Sequence, residues 1–492
     1  MTQQHKFLAI DQGTTSSRAI IFSEDGAMLA TSQKELRLYY PQNGWVEQDA
    51  GEIWSDTFSC IREVLKQHPD VTAFGITNQR ETTILWDKRT GDPVYNAIVW
   101  QDRRTAEFCA ELKSKGLEKK ISEKTGLLLD PYFSATKIKW ILDHVDGVKS
   151  LAEQGYLAFG TVDSWLIWKL TGGTRHVTDA TNASRTMLFN IITNQWDDEL
   201  LTLFGITKSI LPEVLDTVAE FGTTDGKLLP KAYDIKGVAG DQQAALIGQA
   251  CFEVGMVKST YGTGCFALMN IGKEFKTSGH KLLTSIGYRL NGKTTYVLEG
   301  SIFIAGAAIQ FLRDNMGFFS NASESEALAN SVQDTNGVYF IPAFTGLGAP
   351  YWNPDVRGAI LGLTRDSTRA HITRAALEAQ AYQTKDLMNA FYADTKVAPE
   401  VIRVDGGLVA NKFMVQFLSD ILETPVDVPV CREITALGAA YLAALGSGVF
   451  ESLDDISKKW NASQHFQPTL HKQTAHKLYG GWKSSVESIL KI

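Results

Sequence analysis

The chain has 492 residues, of which 44% are hydrophobic and 21% are charged, and its formal net charge is −7. This composition is typical of a folded protein, and it excludes a disordered chain. The negative charge, without a basic stripe in the sequence, argues against nucleic acid and anionic membranes as partners. The length favours two or more hydrophobic cores.

Five cysteines lie far apart and form no Cys-x-x-Cys pair, which is typical of reduced thiols in a cytosolic protein. The apolar stretch 7–10 is too short for a signal peptide. The longest weakly polar stretch, 434–450, is shorter than a bilayer span and predicts a buried helix. We therefore expect a cytoplasmic protein that does not insert into membranes.

Strand and helix patterns alternate along the chain, which predicts an α/β fold. Residues 7–22 predict a strand, a Gly-Thr turn and a returning strand, and residues 256–270 repeat this design. Two such hairpins, some 250 positions apart, favour two lobes of related fold, residues 1–250 and 251–492. Two ordinary, unrelated hairpins would give the same pattern.

Asp11 stands at the end of the first predicted strand, directly before a Gly-Thr-Thr turn. A carboxylate there can hold Mg²⁺, because Mg²⁺ in proteins binds one or two carboxylates together with waters and phosphate oxygens. The hydroxyls of Thr14, Thr15 and Ser16, the turn amides and the charge of Arg18 can bind phosphate. A tight turn without any ligand would have the same composition.

Residues 76–83 place the adjacent charges of Arg80 and Glu81 between two apolar segments. Their donors and acceptors suit a small neutral polyol, and a surface ion pair is the alternative. Trp100 and Phe266 could form an apolar wall against the carbon backbone of such a ligand. Aromatic residues at such positions more often belong to the core.

Residues 237–241 predict a strand of small residues that ends at Asp241, and Gln242 begins a predicted helix. Ligands of α/β sheets bind at the carboxyl ends of strands. Asp241 could therefore act as a general base towards a substrate hydroxyl. Alternatively, Asp241 could serve only as the N-cap of the helix.

Two segments match nucleotide-binding motifs, but the secondary structure predicted after each of them does not fit the motif. Residues 287–294 fit the Walker A pattern, but Asn291-Gly292 predicts a type I′ hairpin turn and a strand follows where a P-loop needs a helix. Residues 262–267 resemble a dinucleotide fingerprint, again followed by a strand. Both are predicted to be β-hairpins.

Farther along the chain, apolar residues at helical spacing predict a core helix over 369–392, with Asp366 or Ser367 as its N-cap. Next, the strand 401–404 enters a glycine pair, and Asn411 lies at the mouth of a helix. The glycines allow the backbone close to a flat ring, and Asn411 could bind an adenine edge. A routine strand-to-helix turn is the alternative.

Two further segments are typical of one family. One is Lys137-Ile-Lys-Trp140-Ile-Leu-Asp-His144, which follows Tyr132, and the other runs from 358 to 378. Together with the stretches above, and in this order, they resemble the glycerol kinases of the FGGY carbohydrate kinase family over essentially the whole chain. The alternatives are a kinase of the same fold for another polyol or a ketose, and an actin-like ATPase without a small acceptor.

The resemblance implies two actin-like, ribonuclease-H-like lobes with ATP and substrate in the cleft between them. It implies Mg²⁺-dependent phosphorylation of glycerol by ATP, with Asp241 as the general base, and a homodimer or higher homo-oligomer. The family's glycerol contacts match Arg80, Glu81, Tyr132, Asp241 and Gln242, with Phe266 as an apolar wall. Its nucleotide contacts match Thr14, Thr15, Ser16, Arg18, Thr263, Gly306, Gln310, Gly407 and Asn411. The Arg80–Glu81 pair also favours glycerol over ketopentoses.

Overall fold

The computed structural model describes residues 4–491. Its strands are β1 Lys6–Gln12, β2 Ser16–Ser23, β3 Met28–Glu35, β4 Glu47–Gln48, β5 Ala73–Asn78, β6 Ile84–Asp87, β7 Ala97–Ile98, β8 Leu157–Gly160, β9 Val177–Asp179, β10 Phe189–Asn190, β11 Gln195–Trp196, β12 Glu213–Leu215, β13 Val218–Thr223, β14 Asp234–Gly240, β15 Val257–Tyr261, β16 Cys265–Gly272, β17 Leu283–Leu290, β18 Lys293–Ile302, β19 Tyr339–Ile341, β20 Ala359–Leu361, β21 Ile402–Asp405, β22 Val426–Pro429 and β23 Ala462–Phe466.

The helices are α1 Ala50–Gln67, α2 Ala106–Ser114, α3 Glu118–Thr125, α4 Ser134–His144, α5 Val148–Glu153, α6 Val162–Leu170, α7 Ala180–Ala183, α8 Asp198–Phe204, α9 Asp241–Gly248, α10 Gly306–Asp314, α11 Glu324–Asn330, α12 Arg369–Thr395, α13 Lys412–Leu422, α14 Ile434–Gly446, α15 Leu453–Lys459 and α16 Lys472–Ile489. Short 3₁₀ turns span Lys208–Ile210 and Gly407–Ala410.

The first sheet has the strand order β13-β14-β5-β1-β2-β3. β1, β2 and β3 are antiparallel neighbours, whereas β5 lies parallel to β1 and β14 lies parallel to β5. The apolar residues of β1 are buried on both faces of the sheet, which explains why they form a continuous apolar run. The predicted hairpin over 7–22 is confirmed.

The second sheet has the order β17-β18-β16-β15-β21-β22-β23. β15 and β16 form an antiparallel hairpin, and β21 lies parallel to β15, so the hairpin predicted over 256–270 is also confirmed. Each sheet thus has a hairpin whose first strand is flanked by a parallel strand on its other side. The boundary near residue 250 remains a prediction.

The segment 287–294 is a β-hairpin, as predicted, and not a P-loop. β17 pairs antiparallel with β18 through the turn at Asn291 and Gly292. Both turn residues have positive φ, 51° and 71°, as a type I′ turn requires.

The long core helix predicted over 369–392 is α12, but its predicted cap is wrong. The N-cap is Thr368, and neither Asp366 nor Ser367 takes that role. Thr368 is favoured because His371, three residues later, completes a reciprocal capping box with it. The hydroxyl of Ser367 instead accepts a hydrogen bond from the amide of Thr364 at 2.9 Å.

The buried helix predicted over 434–450 is α14, and its packing partner is unexpected. Although it comes from the second half of the chain, it packs against α9 and against β1, β5 and β14 of the first sheet. Two glycines permit this close approach. A Cβ on Gly75 would lie 2.0 Å from the carbonyl oxygen of Ala439, and a Cβ on Gly438 would lie 1.8 Å from that of Ala244. Within residues 4–491, none of the helices combines the length and apolar character of a membrane-spanning segment.

Candidate active site

The parallel strands β1, β5 and β14 bring the first group of predicted site residues together. Asp11 pairs with Thr77 of β5, and Thr77 pairs with Ala239 of β14, so the strands end at the same edge. Asp11, the loop with Arg80 after β5, and Asp241 after β14 therefore lie side by side. This is the carboxyl edge at which α/β sheets bind ligands.

Asp241 is the first helical residue of α9, and the N-cap is Gly240, so the interpretation of Asp241 as an N-cap is wrong. The backbone of Gly240 lies under Arg80, because a Cβ there would be 2.7 Å from Arg80 Cγ. The Asp241 carboxylate is 31% exposed, and its Oδ1 lies 3.2 Å from Arg80 Nε. The same oxygen accepts a hydrogen bond from the amide of Gln242 at 2.7 Å. The carboxylate is thus held beside a guanidinium while part of it stays accessible.

Arg80 and Glu81 are not a surface ion pair, because they are only 3% and 1% exposed. Their direct contact is long, 3.9 Å from Arg80 Nε to Glu81 Oε1. Each instead has another partner. Arg80 donates to both carboxylate oxygens of Glu299, at 2.6 and 3.0 Å. Arg185 donates through Nε to Glu81 at 2.5 Å and through Nη2 to Glu299 at 3.1 Å. These four side chains, Arg80, Glu81, Arg185 and Glu299, form a closed buried ion ring.

Arg185 and Glu299 were not predicted from the sequence. Glu299 is the one charged residue inside the apolar part of β18, and such an isolated charge was the signal that could have identified it. Burial alone would raise the pKa of Glu299, but the charges of Arg185 and Arg80 outweigh burial and lower it to about 2. Glu299 is therefore ionised. Burial raises the pKa of Glu81, and the charges of Arg185 and Arg80 oppose that effect.

The backbone of Glu81 has a φ of 62°, which is rare for a residue with a side chain. Its carbonyl oxygen accepts hydrogen bonds from Thr83 Oγ1 at 3.1 Å, Ser134 Oγ at 3.1 Å and Lys137 Nζ at 3.0 Å. Lys137 is buried and also donates to the carbonyl of Tyr132 at 2.7 Å. The lysine of the family motif thus connects two predicted polyol contacts. Strain held in this way is typical of functional sites.

A cluster of three aromatic rings, here called the aromatic wall, lies beside the ion ring, with Arg185 Cζ 5.6 Å from the centre of the Tyr132 ring. The Trp100 ring meets those of Tyr132 and Phe266 edge to face, with centroids 5.5 and 6.4 Å apart. Trp100 Nε1 also donates to Thr14 Oγ1 at 2.9 Å, which joins the wall to the turn after β1. These rings are only partly buried, and Tyr132 packs against a hydrophobic core cluster, so the contact of the wall with a ligand stays a prediction.

Gln242 is held by a third residue that was not predicted from the sequence. Lys258 of β15 is buried, and its ammonium binds Gln242 Oε1 and donates to Thr260 Oγ1 at 3.0 Å. It also lies 3.4 Å from the carbonyl oxygen of Phe266. Burial lowers the pKa of Lys258, and the carboxylates of Asp405 and Asp241 oppose the shift. A lysine inside the predicted strand that begins the second hairpin was the available signal.

Asp11 is buried and lies directly opposite Arg18 in the β1–β2 pair. Arg18 binds Asp11 Oδ2 through Nη2 and Glu433 through Nη1, the latter at 2.5 Å. Burial raises the pKa of Asp11, the charge of Arg18 lowers it, and the nearby Asp241 raises it again. Thr14 and Ser16 are half-buried and Thr15 is exposed at this turn. The turn therefore offers hydroxyls beside one guanidinium and one carboxylate.

Asp11 fits a Mg²⁺ site in which a single carboxylate binds the ion and waters and phosphate oxygens supply the other ligands. Oδ1 of Asp11 has no hydrogen-bond partner among residues 4–491. Within the same residues, no three His, Cys, Asp or Glu side chains gather into a group that could hold a metal. A single free carboxylate oxygen matches Mg²⁺, which keeps several waters and binds substrate phosphates.

The remaining predicted nucleotide contacts lie at the corresponding edge of the second sheet. The carbonyl of Thr263 accepts hydrogen bonds from the amides of Ala305 and Ala307, at 2.8 and 3.1 Å, at the start of α10. Gly306 begins that helix, its amide donates to Gly262 at 2.9 Å, and Gln310 follows one turn later. The second turn, residues 262–264, therefore lies against the start of α10. Its carbonyls already accept from the first amides of this helix, so the binding of phosphate here stays a prediction.

Gly407 and Asn411 follow β21, next to the second turn. A Cβ on Gly406 would lie 2.4 Å from the carbonyl oxygen of Tyr261, which shows how closely the two strand ends approach. Asn411 is the N-cap of α13 and accepts a hydrogen bond from the amide of Met414 at 3.0 Å. Its Nδ2 lies 3.2 Å from Ser325 Oγ. Asn411 thus has a structural role in this turn, and its contact with adenine stays a prediction.

Two family models and several known proteins match most of the chain. The N-terminal domain model of the FGGY family of carbohydrate kinases matches residues 6–248, and the C-terminal domain model matches residues 257–447. The chain is 60% identical to a glycerol kinase of Nitrosomonas eutropha, with 100% of this chain and 99% of that protein covered. It is 55% identical to glycerol kinase 1 of Pseudomonas aeruginosa, with 99% of each covered.

Among solved structures, a glycerol kinase of Plasmodium falciparum with ADP matches with a TM-score of 0.94 and 37% identity, over 99% of this chain and 98% of that one. The resemblance inferred from the sequence motifs and the predicted α/β fold with two actin-like lobes are therefore confirmed. The chain belongs to the FGGY family of carbohydrate kinases.

Proposed function

We propose that this kinase transfers the γ-phosphate of ATP to a terminal hydroxyl of glycerol, giving sn-glycerol 3-phosphate and ADP. One observation carries the proposal. The accessible carboxylate of Asp241 lies 3.2 Å from Arg80 Nε, and the same nitrogen lies 3.9 Å from Glu81 Oε1. A carboxylate that accepts protons, a polar pair and an apolar surface suit the hydroxyls and the carbon backbone of a small triol. The names of relatives at 55–60% identity support the same acceptor.

On the acceptor side, each group has one task. Arg80 and Glu81 would bind two hydroxyls, and Trp100 and Phe266 would pack against the carbon atoms. Asp241 would accept the proton of the remaining terminal hydroxyl as its oxygen attacks phosphorus. A general base within hydrogen-bond reach of the hydroxyl is what this proton transfer needs. Tyr132 and Gln242 would complete the site.

On the nucleotide side, the two turns would hold ATP from both lobes. Thr14, Thr15, Ser16 and Arg18 would bind phosphate oxygens in the first lobe. In the second lobe, the corresponding residues are Thr263, Gly306, Gln310, Gly407 and Asn411. Asp11 would hold Mg²⁺ through its waters, and the ion when bound supplies positive charge to the phosphates. Approach of the lobes would exclude water, which otherwise competes as acceptor.

An assay of ADP release with several acceptors tests the proposal. We expect glycerol to give a kcat/KM well above those of dihydroxyacetone, erythritol, xylulose and ribulose at saturating MgATP. Preference for another polyol or a ketose would contradict glycerol as the acceptor. ATP turnover that no acceptor changes would contradict acceptor phosphorylation altogether.

Three further expectations are part of the proposal. The lobe boundary lies near residue 250, the protein forms a homodimer or a higher homo-oligomer, and it acts in the cytoplasm. The last is supported by the five cysteines, all of which are free thiols in the structure.

A further inference from the structure

The ion ring leaves one defined edge of Arg80 and of Glu81 available. Both terminal nitrogens of Arg80 donate to Glu299, and Nη1 also lies 3.3 Å from Gln243 Oε1. Only Nε is turned towards Asp241. For Glu81, Oε1 accepts from Arg185, while Oε2 has no hydrogen-bond partner within residues 4–491. The contacts within the ring therefore leave Nε of Arg80 and Oε2 of Glu81 as the atoms that can bind a ligand.

The ring members come from both halves of the chain. Arg80, Glu81 and Arg185 precede residue 250, whereas Glu299 lies on β18 of the second sheet. Arg185 also reaches the second sheet, because its Nη1 donates to Ser285 Oγ of β17 at 2.8 Å. The orientation of Arg80 thus depends on a residue from the opposite lobe.

We propose that Glu299 and Arg185 are positioning residues for the acceptor site, which fix Arg80 and Glu81 in the orientation that binds the polyol. The proposal rests on the proposed function, since it concerns how the same acceptor is bound. Arg185 and Glu299 act through other side chains and do not themselves touch the acceptor. Because Glu299 belongs to the second lobe, the acceptor site is complete only when the lobes meet as they do here.

A ring that only stabilises the fold would have a different kinetic effect. Loss of a purely structural contact lowers the stability of the protein and changes the KM for glycerol and the KM for ATP to the same degree. Loss of a positioning contact weakens the acceptor alone, because a misplacement of about 1 Å in a binding group can cost 10²-fold in rate. Comparing the change in the KM for glycerol with the change in the KM for ATP therefore distinguishes a positioning role from a purely structural one.

Two variants test the proposal by different chemistry. Glu299→Gln keeps the shape and removes the charge, whereas Arg185→Lys keeps the charge and removes the planar fork that reaches both carboxylates. We expect each to raise the KM for glycerol about 10- to 100-fold. We expect the KM for ATP to stay within about threefold of the wild-type value. Because Arg185→Lys keeps the buried charges balanced, it provides the test if Glu299→Gln does not fold.

Glu378→Gln is the matched control. Glu378 is a buried glutamate of the second half that accepts from Arg374 Nε at 2.9 Å and from the Tyr382 hydroxyl at 3.0 Å, and it contacts none of the predicted acceptor residues. It should lower the thermal midpoint and leave the KM for glycerol unchanged.

An unchanged KM for glycerol in a folded ring variant would overturn the proposal, and so would an equal rise in both KM values. Failure of the proposed function looks different, because then the wild type itself would not phosphorylate glycerol. In that case the same comparison, made with the acceptor that the wild type does use, decides the role of the ring.

Discussion

Replacing Asp241 by asparagine is expected to lower kcat with glycerol about 10²- to 10⁴-fold, the usual contribution of a general base. Asparagine has the shape of aspartate, and its amide oxygen can still lie near Arg80 Nε, now 3.2 Å from the carboxylate. It cannot accept a proton from a hydroxyl at neutral pH. The chemical step should therefore slow while the binding of ATP, at the turns of both sheets, changes little. Steady-state kinetics and calorimetric titration with ATP measure the two effects separately.

Asp420→Asn is the matched control for that variant. Asp420 is a buried aspartate near the C-terminal end of α13, the end opposite Asn411, and it accepts a hydrogen bond from the amide of Thr469 at 2.6 Å. Its replacement should affect stability and leave kcat at the wild-type value. If Asp241→Asn retained near-normal turnover, or lost ATP affinity to the same degree as turnover, Asp241 would not be the base.

Gly438→Ala is expected to destabilise the protein by about 3 kcal/mol or more, at the upper end of the usual cost of overpacking. The new Cβ would lie 1.8 Å from the carbonyl oxygen of Ala244 and 3.0 Å from the amide nitrogen of Gly248. Both atoms belong to the backbone of α9, so no side-chain rotation can relieve the contact. The helices α14 and α9 must therefore move apart. Because Asp241 is the first residue of α9, the same movement should also lower kcat.

The contrasting variant is Gly480→Ala. Gly480 lies in α16, is exposed, and has no atom within 4 Å of where its Cβ would be. Alanine there should raise helix stability by roughly 0.5–1 kcal/mol, the usual difference between glycine and alanine within a helix. Thermal unfolding of both variants checks the pair. A Gly438→Ala protein as stable as Gly480→Ala would contradict the close packing of α14 on α9.

The parts of the fold and site that the sequence predicts are those set by neighbours along the chain. A strand followed by a Gly-Thr turn specifies each hairpin locally, and the placement of Asp11 and Asp241 at strand ends follows from the same local pattern. The cap of α12 was misplaced by one or two residues, since Thr368 gains its advantage from a side chain three positions later. Helix ends are the least certain part of such predictions.

The missed features depend on contacts between distant parts of the chain. Arg80 and Glu299 are 219 positions apart, Glu81 and Arg185 are 104 apart, and Arg18 and Glu433 are 415 apart. A single sequence shows these charged residues but gives no sign of which distant residue each one contacts. The packing of α14 on the first sheet could not be predicted for the same reason. A glycine in a sequence indicates that another backbone can approach closely, but it does not indicate which one.

The central claim is that Asp241 deprotonates a glycerol hydroxyl while MgATP is bound across the two turns. A crystal structure with glycerol and a non-hydrolysable ATP analogue tests it most directly. We predict one carboxylate oxygen of Asp241 at about 2.6–3.2 Å from a terminal hydroxyl of glycerol, with that hydroxyl facing the γ-phosphate. A complex in which every glycerol oxygen lies beyond hydrogen-bond reach of Asp241 would contradict the account.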